Sequence, residues 1–290
     1  MKVKLLKSIE PSIKFNSRQI SHRDFIFSSI QDGRLNLVNS TCYCGENESK
    51  TIFKYDSYGL NIPTVVCKSC STIRSKFFLD DESLLKFYNE GYYYPHMLTE
   101  TSSATFGMDF NKYYKLETIK GLDIYEFINK SILINDIRNV LEVGCGAGGI
   151  LEIFNKKGLD VYGCDYSSNL IDFAKSKNPN ANFRVGGPEV FKDKNFDLII
   201  LSDLIEHLTK PNLFLRELKQ ILSNGGHVYI NCPNFFEIGI LRWDANIRQF
   251  FKLEHVFCYT PNSLNKLMHQ TGFELVSMNK YIRGVFKKSR

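Results

Sequence analysis

The chain has 290 residues, 43% of them apolar, and its 37 basic against 31 acidic side chains leave a formal net charge of +6. A chain of this size buries a sizeable core and holds one large domain with an appendage, or two domains. Its Lys and Arg are scattered rather than gathered into a stripe, which argues against a dedicated nucleic-acid binder.

The nearest approach to a basic run, Lys287, Lys288 and Arg290, reads as a solvated tail. The N-terminus lacks the apolar core of a secretory signal, and the run from Leu198 to Leu201 is far too short to span a bilayer. A cytoplasmic protein without a membrane segment is therefore expected, and in that reducing compartment its eight cysteines stay thiols, metal ligands or catalytic groups.

Residues 1–39 carry short apolar stretches without a sustained period and predict an irregular or partly helical lead-in. Residues 40–79 form a small ribbon-like segment, with strand-like stretches at Thr51–Tyr55 and Thr64–Val66. Cys42-Tyr-Cys44-Gly45 and Cys67-Lys-Ser-Cys70 bracket it, giving four thiols in two close pairs, as a tetrahedral zinc site needs. The first pair is one residue tighter than the usual C-x2-C, and Gly45 supplies the positive φ such a turn calls for. Four thiolates close the coordination sphere, so the zinc expected at Cys42, Cys44, Cys67 and Cys70 is structural.

Residues 80–133 predict a helical, Tyr-rich connection and cap. Asp80 or Asp81 caps a helix whose Leu84, Leu85, Phe87 and Tyr88 make one buried face. The loop Gly91-Tyr-Tyr-Tyr-Pro-His96 and the polar stretch Thr99–Thr105 then lead into a helix over residues 111–130. Tyr92 to Tyr94 read as a hydrophobic lid.

From residue 134 to 290 strands and helices alternate. Strands are expected at Val140–Val143, Asp160–Cys164, Asn182–Val185, Phe196–Leu201 and His227–Ile230. Helices are expected at Gly149–Lys157, Asn169–Ser176 and Pro211–Leu222, and Pro261–Thr271 with Phe273–Tyr281 completes the domain. Single helices between strands imply an α/β fold with a mostly parallel sheet.

Gly144, Gly146 and Gly148 sit where the first of these strands stops and a helix starts, the place where open α/β sheets bind ligands. Gly144, Gly146 and Gly149 also satisfy the GxGxxG spacing of dinucleotide sites, and Asp165 at the end of the next strand suits a ribose in either case. Spacing alone leaves two cofactors open. Glu142, an acid in an apolar strand, tips the choice: a carboxylate repels a pyrophosphate at a helix N-terminus and attracts an ammonium or a sulfonium.

The run Val140-Leu-Glu-Val-Gly-Cys-Gly-Ala-Gly-Gly149 resembles the E/D-x-G-x-G-x-G motif of the class I S-adenosylmethionine-dependent methyltransferases. The resemblance continues through Gly163-Cys-Asp-Tyr-Ser167, Phe196–Leu208 and Leu213–Ile230, over roughly residues 135–285. It implies a Rossmann-like sheet with an antiparallel last strand. It also implies that Glu142, Gly144, Cys145, Gly146 and Gly148 line S-adenosyl-L-methionine, that Asp165 with Tyr166 holds its ribose side, that Gly187 borders the adenine, and that Ser202 lies beside the methyl group. Cys145, Cys164, Cys232 and Cys258 otherwise read as packing residues.

Methyl transfer needs an aligned acceptor and, for a hydroxyl, a proton acceptor. His207 follows the fourth strand beside Glu206 and is the candidate general base. His255, in an EH pair such as related enzymes carry over the acceptor, is the second candidate. A thiolate ribbon, a Tyr-rich connection and a methyltransferase domain in this order resemble bacterial methyltransferases of sugar and polysaccharide pathways. That resemblance implies a small-molecule acceptor, the O or N of a sugar, nucleotide-sugar or surface-polysaccharide precursor. An RNA methyltransferase gripping substrate with the ribbon is the alternative, which the balanced charge of residues 40–70 disfavours. An NAD-binding or non-catalytic Rossmann protein is the other.

Overall fold

The computed structural model describes residues 8–12, 14–90, 109–234 and 251–289. The Tyr-rich loop with Tyr92 to Tyr94, the stretch Thr99–Thr105 and Arg290 lie outside these residues. The chain divides into two compact units, neither of them one continuous stretch. The first comprises Met1–Ser102, Glu206–Pro211 and Pro233–Leu264; the second comprises Ser103–Ile205, Asn212–Cys232 and Asn265–Arg290. The expected connection over residues 80–133 is thus shared between them.

In the first unit the lead-in holds a helix, α1 (Ser17–Gln31). Asn16 accepts from the Gln19 N–H while the Gln19 side chain accepts from the Asn16 N–H, so two otherwise orphaned donors are satisfied reciprocally. Ile26 and Ile30 of α1 pack with Leu35, Leu37, Leu60 and Phe87 into one apolar cluster. Strand β1 (Leu37–Asn39) pairs antiparallel with β5 (Phe77–Leu79). Helix α2 (Asp81–Asn89) starts where Asp80 accepts the Ser83 N–H at 2.9 Å. Its buried face carries Leu84, Phe87 and Tyr88 but not Leu85, which is 48% exposed because it is rotated about 100° from Leu84.

The ribbon is a four-stranded antiparallel sheet in the order β11-β4-β3-β2, built from β2 (Ser49–Phe53), β3 (Thr64–Cys67), β4 (Ile73–Ser75) and β11 (Phe257–Cys258). Its fourth strand comes from far along the chain, which the local pattern of residues 40–79 does not reveal.

The second unit is the α/β sheet. Its seven strands run in the order β12-β13-β10-β9-β6-β7-β8. They are β6 (Asn139–Val143), β7 (Asp160–Asp165), β8 (Asn182–Val185), β9 (Phe196–Ser202), β10 (Leu222–Asn231), β12 (Phe273–Met278) and β13 (Arg283–Lys288). Strands β10, β9, β6, β7 and β8 pair parallel. The last strand, β13, pairs antiparallel with both β10 and β12.

The helices are α3 (Phe110–Ser131), α4 (Gly149–Lys156), α5 (Ser168–Lys177), α6 (Pro211–Gln220) and α7 (Pro261–Gln270). Val140, Leu198, Ile200 and Tyr229 of the sheet pack with Ile150, Leu151 and Phe154 of α4 and Ile124 and Ile128 of α3. Gly121 brings α3 close to α4, since a Cβ there would lie 2.9 Å from the Ile150 Cα. Within the closing stretch Phe273–Tyr281, strand β12 ends at Met278, and the chain turns back through Ile282, whose φ is +54°, into β13. Among the described residues no helix is long and apolar enough to cross a membrane.

Candidate active site and metal centre

Strand β6 delivers Glu142 and then the glycine loop. The Gly144 and Cys145 N–H groups donate to the Cys164 carbonyl at 2.8 and 3.0 Å, turning the chain sharply back toward β7. Gly146 has φ +52°, and a Cβ there would lie 2.6 Å from Glu117 Oε1 and 2.9 Å from Tyr113 Oη. Only glycine fits so close an approach. Gly148, at φ +78°, is the N-cap of α4.

Acidic groups surround this loop. Gly146 N–H donates to Asp165 Oδ2 at 3.1 Å and Ser167 N–H to Asp165 Oδ1 at 2.9 Å. Gly149 N–H donates to Glu117 Oε2 at 3.2 Å. Glu142 is 1% exposed, and its Oε2 has no hydrogen-bond partner among the described residues.

Burial pushes the Glu117 carboxyl up to about 7, against the Gly149 and Tyr113 hydrogen bonds that lower it. Burial, with the neighbouring Glu117, raises Glu142 well above the ordinary carboxylate range, and burial also raises Asp165. Lys120 opposes the rise at both glutamates, while its Nζ is 2.5 Å from Asp203 Oδ2. Three carboxylates held together at such cost form a site suited to a cationic ligand and hostile to an anionic one.

Glu117 is the candidate site residue that motif reading missed. A signal exists: Glu117, Gly121, Ile124 and Ile128 form the buried stripe of α3, so an acid occupies a core position of a helix, as Glu142 does in a strand.

Elsewhere in this unit Ser202 ends β9, 9% exposed, with its Oγ unpartnered among the described residues. Gly187 follows β8 and donates its N–H to Glu189 Oε1 at 2.9 Å. Tyr166 is 46% exposed, and its hydroxyl would lie 2.9 Å from a Cβ placed at Gly187. Cys145 is buried, its Sγ against the α-carbon side of Gly163.

The first unit gathers the other candidates. Glu206, 3% exposed, and His207 belong to one turn of 3-10 helix, Ile205–His207. His207 Nε2 lies 3.9 Å from Glu206 Oε1. The His207 and His255 rings meet edge to face, with centroids 4.9 Å apart. Backbone pairing holds the two segments together: Val256 N–H donates to the Glu206 carbonyl at 2.8 Å, and Ser75 N–H donates to the Val256 carbonyl at 2.9 Å. Tyr88 Oη sits 3.3 Å from His207 Nδ1.

The four ribbon cysteines converge. Cys42 Sγ is 3.4 Å from Cys70 Sγ, Cys44 Sγ is 3.7 Å from Cys67 Sγ, and all four sulfurs lie within 4.8 Å of one another. A tetrahedral zinc ion with bonds of about 2.3 Å sets sulfurs about 3.8 Å apart, whereas a disulfide needs about 2.05 Å. The set fits zinc. Gly45 has φ +87° and closes the tight first turn by donating its N–H to the Cys42 carbonyl at 2.9 Å. Burial raises Cys42, whereas the hydrogen bonds shared with Thr72 bring Cys70 to about 7 in spite of burial.

A family model described as a methyltransferase domain matches residues 117–278. The chain belongs to that family. Its match starts at Glu117 and takes in the glycine loop, Asp165, Ser202 and the histidines.

Among curated relatives the chain is similar to the ubiquinone biosynthesis O-methyltransferase of Pelagibacter ubique, at 33% identity over 33% of this chain and 42% of that protein. It is also similar to the enzyme of the same name from Coxiella burnetii, at 31% identity over 38% of this chain and 49% of that protein. The alignments span about half the length of these relatives.

Among solved structures it is similar to an O-methyltransferase family protein from Burkholderia thailandensis, at 12% identity and a TM-score of 0.49, covering 62% of this chain and 59% of that one. A second is the plantazolicin methyltransferase BpumL with a desmethyl analogue and SAH, at 19% identity and a TM-score of 0.45, covering 62% of this chain and 85% of that one.

Proposed function

We propose that the chain is an S-adenosyl-L-methionine-dependent methyltransferase acting on a hydroxyl of a small molecule. The observation that carries the reading is the acid-lined glycine loop. Glu117, Glu142 and Asp165 crowd a backbone cradle whose electrostatics favour a ligand bearing an ammonium and a sulfonium. The same carboxylates would repel the pyrophosphate of a dinucleotide, which sets aside the NAD reading.

S-adenosyl-L-methionine, when bound, supplies a methyl group on an already activated sulfonium. The chain's own work is to hold that cofactor by its cationic and ribose ends, orient the acceptor and accept its proton. Glu142, Gly144, Gly146 and Gly148 take the first task, Asp165 the ribose, Gly187 the adenine edge, and Ser202 the side nearest the methyl. His207, with Glu206 beside it and His255 against its ring, takes the proton.

The names of the curated relatives support oxygen as the acceptor atom. A sugar or nucleotide-sugar acceptor rests on the ribbon resemblance. One structural zinc held by Cys42, Cys44, Cys67 and Cys70 completes the reading, supported by the sulfur spacings.

Calorimetry with S-adenosylhomocysteine and with NAD tests the assignment. Binding of the first and not the second is expected; binding of NAD alone would overturn it. Transfer of labelled methyl to a panel of phenols, sugars and nucleotide-sugars then identifies the acceptor.

A further inference from the structure

The geometry points to a divalent-cation site formed by Glu206, His207 and His255, separate from the four-thiolate centre and open to an oxygen donor of the ligand. Each of the three residues offers one ligand atom, and these atoms lie within 4.8 Å of one another. A cation holding nitrogen and oxygen at about 2.1 Å needs ligand atoms roughly 3 to 4.2 Å apart. The His207 Nε2 to Glu206 Oε1 distance of 3.9 Å already meets this, and closing the remaining gaps requires only small side-chain rotations.

Two further features suit a metal. Tyr88 Oη, 3.3 Å from His207 Nδ1, accepts the ring proton when it resides there and leaves the Nε2 lone pair facing Glu206. Such an outer partner orients metal-bound imidazoles. Glu206 sits on a rigid frame, its carbonyl held by Val256 N–H and the Val256 carbonyl in turn by Ser75 N–H.

Two imidazoles and one carboxylate fill half of an octahedron and leave open positions, the pattern of non-haem divalent metal sites, whereas four thiolates leave none. An oxygen donor in an open position loses its proton more readily, and that proton passes to water. With the cation bound, His207 is its ligand, and this replaces the proton-accepting role given to His207 under the proposed function. The use of this chemistry in methylation rests on the proposed function; cation binding itself does not.

Mn2+ is the suitable probe, because nitrogen and oxygen ligands accept it while the thiolates prefer zinc. The 290-residue, zinc-loaded chain is titrated with MnCl2 and free Mn2+ is counted by electron paramagnetic resonance. One Mn2+ per chain is expected. Tyr88→Phe should weaken it about tenfold and Glu206→Gln more strongly, with zinc content and melting temperature unchanged. The absence of saturable Mn2+ binding to the native chain, or binding that neither substitution alters, overturns the site. S-adenosylhomocysteine calorimetry on the same samples separates the two proposals. Mn2+ bound without S-adenosylhomocysteine sustains the cation site and removes the methyltransferase reading; the reverse result removes the cation site alone.

Discussion

Gly149 N–H donates to Glu117 Oε2 at 3.2 Å, tying the first turn of α4 to a buried acid on α3. With its carboxyl pushed up to about 7, Glu117 is raised above its ordinary 4.5. A raised carboxyl contributes stability that is fully present below the unfolded value and lost as pH rises through the folded one. The cofactor-free chain should therefore melt progressively lower between about pH 4.5 and pH 7.5. A cationic ligand reverses the preference and expels the proton, so affinity for S-adenosylmethionine should rise over pH 6 to 8. Calorimetry in buffers of different ionisation heat measures the proton released, and Glu117→Gln should flatten both profiles. A pH-independent affinity in the native chain would refute this.

Gly146→Ala tests the cradle. The new Cβ would meet Glu117 Oε1 at 2.6 Å on a backbone with φ +52°. Strain of about 1–3 kcal/mol is expected there, and S-adenosylhomocysteine affinity should fall tenfold or more. Unchanged affinity would show that the cofactor lies elsewhere.

For turnover, His207→Ala is the informative substitution. Cofactor affinity should be unchanged, because Glu117, Glu142 and Asp165 remain, while methyl transfer falls by about 100-fold or more. Full activity in this variant would remove His207 from the chemistry.

The ribbon makes its own prediction. Metal analysis should find one zinc per chain, and Cys42→Ser should lose it and lower the melting temperature of the first unit by about 10 °C or more. A native chain without zinc would leave the 3.4 and 3.7 Å sulfur contacts as packing alone.

Glu142 was legible in the sequence because an acid breaks the otherwise apolar run Val140–Val143, and the parallel strands were legible because β6 and β9 are rich in apolar residues. Glu117 escaped because α3 carries charged residues on its solvent face, where one more acid does not stand out until the buried stripe is known. The resemblance implied the antiparallel last strand, but the place of that strand, β13, in the chain escaped for another reason. The turn before it has no glycine or proline and places the β-branched Ile282 at φ +54°, against every local preference. The joining of residues 206–211 and 251–264 to the N-terminal unit is non-local, and no local pattern encodes it.

The pairing of β4 with β11 also sets a timetable. Ser75 and His255, whose backbones lie side by side at that seam, are 180 residues apart in the chain. At about 5–20 residues per second of synthesis, the ribbon waits on the order of 10 to 40 seconds for its last strand. During that interval the nascent thiols of Cys42, Cys44, Cys67 and Cys70 await a strand not yet made. Early capture of the proposed zinc would hold the two cysteine turns together through that interval, before β11 arrives to pair with β4.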